Sequence, residues 1–153
     1  MNFNWDNFNE ETYNNVAKAM EERPYNLDCV GHVHVGDISI ELIVDTFYNE
    51  FDELETGILY DMYVAHEDTG YGYKNEYGYD YLGNGMPYDY ADGGILTHPK
   101  LLTYEQFKED SERRFVEFIT KYDECKVYTE IDNDPRYVSY SLVEHANRPL
   151  EIW

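Results

Sequence analysis

The excess of acidic over basic side chains is the strongest constraint on how this chain can fold. Its 153 residues carry 32 Asp and Glu against 11 Lys and Arg, a formal net charge of -21 at pH 7. Self-repulsion on this scale weakens a compact state, so the charge indicates a purpose outside folding. We expect that purpose to be a strongly basic partner. The commonest strongly basic surface in a cell is one that binds nucleic acid.

The rest of the composition favours a folded body. Hydrophobic residues make up 42% and aromatic residues 17%, including 17 Tyr, whereas acidic disordered chains are poor in aromatics. The length predicts one domain spanning residues 1–153. Cys29 and Cys125 are too few for a disulfide framework or a cysteine-based zinc site. With no signal-peptide pattern and no bilayer-spanning apolar run, we expect a cytoplasmic protein without membrane contact.

The apolar pattern predicts an α+β fold. It is an antiparallel sheet of about five strands with two helices on one face, in the order αβββ, a long Gly/Tyr loop, then αββ. In the segment 38–45 every second residue is apolar, which is typical of a strand with one buried face. The predicted helices span 9–23, capped by Asn9, and 103–122, with a Thr103/Gln106 capping box. The predicted strands are a hairpin over 28–47 with its turn at Gly36-Asp37, and single strands at 57–65, 125–131 and 137–143.

Residues 66–100 interrupt this pattern with a dense run of Gly, Tyr, Asp and Asn. We expect a long excursion with short strands or turns inside it. Long segments of this kind in compact domains tend to be functional.

The acidic stretch from Glu41 to Asp92 is the leading candidate for a binding surface, because Lys74 is its only Lys or Arg. Carboxylates on strands project from a firm scaffold, and interleaved tyrosines could stack on arginine side chains of a partner. The predicted partner-binding residues are Asp45, Glu50, Asp52, Glu53, Glu55, Asp61, Glu67, Asp68, Tyr71, Tyr73, Tyr77, Tyr79, Asp80, Tyr81, Asp89 and Asp92.

Metal binding is a competing interpretation of other polar residues. His32 and His34 would share one face of a strand at metal-ligand spacing, with His66 or His98 as a third ligand. The segment Asp89–Gly94 has the carboxylates and glycines of a calcium loop but not the alternation of an EF-hand. The simpler hypothesis is solvated strand histidines and an ordinary turn, so we predict no metal and no cofactor.

Motifs for catalysis are weak. Asp68-Thr69-Gly70 matches the triplet of aspartic proteases, but that chemistry needs two such carboxylates sharing a proton, and His66 and Glu67 precede the triplet in place of an apolar strand. No phosphate-binding glycine loop or local nucleophile motif is present. We therefore expect that the protein is not an enzyme and does not itself bind nucleic acid.

In size, extreme acidity, aromatic content and lack of catalytic motifs, the chain resembles the DNA-mimic anti-defence proteins of phages and mobile elements. Residues 12–16, Thr-Tyr-Asn-Asn-Val, are also similar to the start of one such anti-restriction protein. The resemblance implies a cytoplasmic inhibitor in a bacterial host. It would bind a nuclease, either a CRISPR effector or a restriction enzyme, and block its DNA- or RNA-binding cleft by imitating phosphate charge. Two alternatives stay open: an inhibitor acting through the Tyr-rich loop without DNA mimicry, and a metal-binding accessory domain.

Overall fold

A computed structural model describes residues 1–22, 27–65, 88–97, 102–131 and 134–148. Within these ranges three helices and seven strands follow one another along the chain. They are β1 (Phe3–Asn4), α1 (Glu10–Glu22), β2 (Leu27–Val35), β3 (Ile38–Tyr48), β4 (Leu54–Ala65), β5 (Tyr88–Thr97), α2 (Tyr104–Lys121), β6 (Glu124–Ile131), β7 (Asp134–Ser141) and α3 (Leu142–Ala146).

The predicted α+β class and the antiparallel five-stranded sheet are confirmed. The sheet runs in the order β1-β2-β3-β4-β5, with every neighbouring pair antiparallel. Its membership differs from the prediction, because the two-residue β1 and the excursion strand β5 form the edges. Among the described strands, β6 and β7 pair only with each other, in a separate two-stranded sheet, and β6 lies beside β5.

The alternating pattern of β3 and β4 determines which face of the sheet is buried. Even-numbered residues from Ile38 to Val44 and from Ile58 to Val64 are at most 3% exposed. They share one core with buried side chains of α1, α2 and α3, so the helices cover this face as predicted. Odd-numbered residues of the same strands point to the opposite face, which we call the outer face.

Local hydrogen bonds explain where the helices begin. The amide of Thr12 donates to Asn9 Oδ1 at 2.9 Å, and Thr103 and Gln106 form the predicted capping box. The predicted strand 137–143 stops at Ser141 because that residue caps α3, accepting from the Glu144 amide at 3.3 Å. Tyr122, the last residue of the predicted second helix, is the C-cap of α2 in the structure and is 47% exposed.

Aromatic rings fill the space between the N-terminal segment and the helices. Tyr13 stacks on Phe107 with ring centroids 5.0 Å apart, and Trp5 and Phe8 pack against the same ring. The buried hydroxyl of Tyr104 donates to the carbonyl of Phe8 at 2.7 Å. Buried tyrosines thus place a ring in the core while satisfying their polar end.

A polar cluster of the buried residues Asp37 and His145 and the half-buried Arg148 ties α3 to the turn between β2 and β3. The amide of Asp37 donates to the carbonyl of His145 at 3.1 Å, and His145 Nδ1 lies 2.6 Å from Asp37 Oδ1. Arg148 Nη1 lies 3.5 Å from Asp37 Oδ2. The preceding Gly36 has φ +58°, which suits a residue without a Cβ atom at this tight contact.

Candidate acidic hairpin arm

The β3–β4 hairpin has the longest register in the described part of the sheet. Its register runs without a break from Ile38 opposite Val64 to Tyr48 opposite Leu54. Among the described residues, pairing with β2 ends at Val44 and pairing with β5 ends at Ile58. In the part of the chain that the structure describes, residues 45–57 form a two-stranded ribbon that pairs with neither β2 nor β5, and we call this ribbon the arm.

Backbone and side-chain hydrogen bonds fix the loop at the end of the arm. Asn49 Oδ1 accepts from the amides of Phe51 at 2.8 Å and Glu53 at 3.0 Å. The Asn49 amide donates to the carbonyl of Glu53 at 2.9 Å, and Asp52 takes the left-handed conformation with φ 60°. Among residues that carry a side chain, Asn and Asp tolerate this conformation best. The hydrogen bonds that shape the loop therefore come from its own residues.

The arm carries five carboxylates and no Lys, Arg or His. Glu50, Asp52, Glu53 and Glu55 are exposed, whereas Asp45 is half-buried and accepts from the amide of Thr46 at 2.7 Å. Ion pairs of the described residues involve other acids, on α2, α3 and the β2–β3 turn. Within the described chain, the arm therefore presents its negative charge without a cationic partner.

Two further carboxylates continue this charge along the outer face. Glu41 and Asp61 lie directly opposite one another in the β3–β4 register. The pKa of Asp61 is raised, first by burial and then by the nearby charge of Glu41. Together with the arm these residues form what we call the acidic band: Glu41, Asp45, Glu50, Asp52, Glu53, Glu55 and Asp61.

Large apolar side chains lie among the carboxylates of the arm. Tyr48 is 71% exposed, Phe51 72% and Leu54 62%, the three highest values among the exposed large hydrophobic residues described. Tyr48 and Leu54 occupy the face of the hairpin that is buried in the sheet body, but none of the described helices covers them.

The two strand histidines also lie on the outer face. Their rings stack with centroids 6.1 Å apart and an interplanar angle of 10°. Burial lowers the pKa of His34, and the neighbouring His32 lowers it further. Cys29 Sγ lies 3.7 Å from His32 Nε2. No group of three or more His, Cys, Asp or Glu among the described residues is placed to hold a metal ion.

The structure brings six of the predicted partner-binding residues together: Asp45, Glu50, Asp52, Glu53, Glu55 and Asp61. Asp89 and Asp92 lie on β5, opposite Val64 and Met62 in the register, and only their backbones are described. The others lie outside the described residues, as do His66, His98 and the Asp68-Thr69-Gly70 triplet. These are Glu67, Asp68, Tyr71, Tyr73, Tyr77, Tyr79, Asp80 and Tyr81.

Sequence reasoning missed Tyr48, Phe51 and Leu54 as surface residues. On the inner face, Thr46 and Thr56 separate the buried apolar residues from Tyr48 and Leu54, so the apolar pattern is interrupted before the turn. The pattern places Tyr48 and Leu54 on the inner face but does not show whether that face is covered there.

Comparisons with known proteins assign no family to the chain. No protein-family model, curated protein or solved structure matches it. None of the helices in the described ranges combines the length and the apolar character needed to cross a bilayer.

Proposed function

We propose that this protein is an acidic inhibitor of a nucleic-acid-processing nuclease from a bacterial defence system, either a CRISPR effector or a restriction enzyme. The acidic band occupies the basic cleft that otherwise holds DNA or RNA phosphates. The observation that carries the proposal is the arm, five carboxylates on a hydrogen-bonded hairpin without a basic residue. On this proposal the protein acts by binding, without catalysis or a cofactor, in the bacterial cytoplasm.

The density of charge favours imitation of a single strand. From the Glu41–Asp61 pair to the loop, the band extends about 30 Å at about 3.4 Å per strand residue. Seven carboxylates over that length give roughly one charge per 4 Å, against about 3.4 Å for one nucleic-acid strand and about 1.7 Å for a duplex. The charge spacing of the acidic band is therefore closer to that of a single nucleic-acid strand than to that of a duplex.

The hydrogen-bonded backbone of the arm supports the same function. The pairing of β3 with β4 already orders the backbone that carries the carboxylates, so binding sacrifices little backbone freedom. The uncompensated charge would also accelerate encounter with a cationic cleft, an effect that salt screens. We expect fast association at low salt and weaker binding as salt increases.

A panel of purified restriction endonucleases and guide-loaded CRISPR effectors tests the proposal by binding and by DNA cleavage. In the arm-neutral variant, Glu50, Asp52, Glu53 and Glu55 become Gln, Asn, Gln and Gln. All four side chains are exposed, so folding should survive. The control variant neutralises four other exposed acids, Glu105, Glu109, Glu117 and Glu124, and so has the same net charge.

The wild type and the control should inhibit at least one nuclease, while the arm-neutral variant should bind it about 100-fold more weakly. An equal loss of affinity in the arm-neutral and control variants would show that the total negative charge of the protein, and not the arm, is responsible for binding. If Tyr-to-Ala changes at Tyr73, Tyr77 and Tyr79 abolish inhibition and the arm-neutral variant retains it, the Tyr-rich loop is the inhibitory element. If the wild type binds no nuclease of the panel at low salt, the proposed function is wrong.

A further inference from the structure

Three large apolar side chains at the end of the arm, those of Tyr48, Phe51 and Leu54, are exposed to solvent. Phe51 and Tyr48 are each more than 70% exposed, whereas Val44 and Ile58, where the arm begins, are fully buried. Tyr48 and Leu54 are register partners, so their Cβ atoms lie about 4.5 to 5.5 Å apart and the two side chains form one patch. Hydrophobic residues clustered in this way mark interaction sites.

The loop holds Phe51 in place before any partner arrives. The amide of Phe51 is bonded to Asn49 Oδ1, and the left-handed Asp52 follows it. The ring therefore extends from a backbone that is already ordered. An aromatic side chain on an ordered backbone has few remaining rotatable bonds, and such side chains dominate binding energy at interfaces.

The surrounding charge selects the partner. Glu50, Asp52 and Glu53 adjoin Phe51 in the loop, so a surface that covers the ring also removes water from carboxylates. That costs free energy unless Lys or Arg side chains meet them. An anionic membrane would repel the loop, and a second copy of this chain would oppose acid to acid. The complementary surface is an apolar pocket bordered by basic residues.

Pockets of this composition hold nucleobases in proteins that grip single strands. Such proteins bind the backbone with positive charge and the bases by stacking. We infer that the end of the arm imitates a nucleotide segment in which Phe51 occupies a base-stacking pocket of the nuclease. Tyr48 and Leu54 pack at the pocket edge, and the neighbouring carboxylates contact the residues that otherwise hold phosphates. This inference rests on the proposed function and names the pocket that the arm enters.

Affinity measurements over a range of salt test the inference, using a nuclease of the panel that binds the wild type. Phe51→Ser should weaken binding about 10- to 30-fold at every salt concentration, because stacking does not depend on counterions. Phe51→Trp should retain binding. Tyr122→Ser, which removes another exposed aromatic outside the arm, is the matched control and should bind normally.

Competition then identifies the pocket. A short single-stranded oligonucleotide should displace the wild type, and cross-linking from a photoreactive residue at position 51 should label a peptide of the base-binding pocket. If Phe51→Ser binds like the wild type while the arm-neutral variant does not, the inference fails and the proposed function stands. A label on a site remote from nucleic acid also overturns the inference. If no nuclease binds the wild type, the proposed function fails and the inference fails with it.

Discussion

His145 Nδ1 lies 2.6 Å from Oδ1 of Asp37, a residue 108 positions earlier in the chain, and both side chains are excluded from solvent. The pair joins the last described helix to the turn that opens β3. Arg148 supplies a guanidinium to the second carboxylate oxygen of Asp37.

Removing one member of this buried pair should destabilise the fold. Asp37→Ala would leave His145 and Arg148 facing a cavity, with an expected loss of about 3 to 5 kcal/mol in the free energy of unfolding. Urea denaturation measures this loss. Asp110→Ala is the control, because Asp110 forms an exposed pair with Arg113 at 2.6 Å and should cost less than about 1 kcal/mol. Equal costs for both variants would contradict the importance of burial.

Gly36→Ala should also destabilise the β2–β3 turn. An added Cβ atom would lie 2.1 Å from the carbonyl oxygen of His145, at a residue whose φ is +58°. The unfavourable backbone alone costs about 1 to 3 kcal/mol, and the clash adds to it. Gly94→Ala provides the comparison, since the atom nearest its Cβ would be the flexible end of Arg114 at 3.1 Å, and Tyr60 would lie at an ordinary contact distance of 3.5 Å. Thermal unfolding of the two variants should show the larger drop for Gly36→Ala.

The pKa of His34 should depend on its neighbour His32. Burial and the neighbouring His32 lower the pKa of His34 from 6.5, so the unfolded chain takes up this proton more readily than the folded one. The corresponding stability is present above pH 6.5 and falls as the pH drops toward the folded pKa. His32→Gln should raise the pKa of His34, as followed by NMR of the imidazole protons. An unchanged His34 titration would show that burial alone sets its pKa.

Relief of the Glu41–Asp61 repulsion should stabilise the fold at neutral pH. The raised pKa of Asp61 means that its stabilising contribution is complete below pH 3.8 and lost as the pH rises through the folded pKa. Glu41→Gln should bring that pKa closer to 3.8 and raise stability at pH 7 by roughly 0.2 to 1 kcal/mol. Carboxyl NMR titration and urea denaturation measure the two effects. Glu109→Gln has the same net charge and should leave the pKa of Asp61 unchanged.

Local patterns predicted most of the fold correctly. The alternation of β3 and β4 specifies their buried face, and the caps at Asn9 and Thr103 depend on residues three positions apart. Such features involve neighbours in the chain, so the sequence displays them directly. The contact between Asp37 and His145 joins residues that are far apart in the chain, and no local sequence pattern around either residue predicts it.

The candidate site was predictable in its charge but not in its shape. The acids of the arm were expected as a binding surface because they lie in a stretch with one basic residue. Whether Tyr48, Phe51 and Leu54 are covered depends on which other parts of the chain pack against the arm, and the residues of the arm do not encode that. Their exposure is therefore seen only in the structure.

Strand β3 begins next to the turn that contacts His145 and Arg148 through Asp37, and it ends at the loop that carries Phe51. Its eleven residues separate the two ends by about 34 Å. A linker attached next to Arg148 would therefore lie at the end of β3 opposite the loop of the arm. If the protein is immobilised on a surface through that linker, the loop stays accessible to a binding partner in solution.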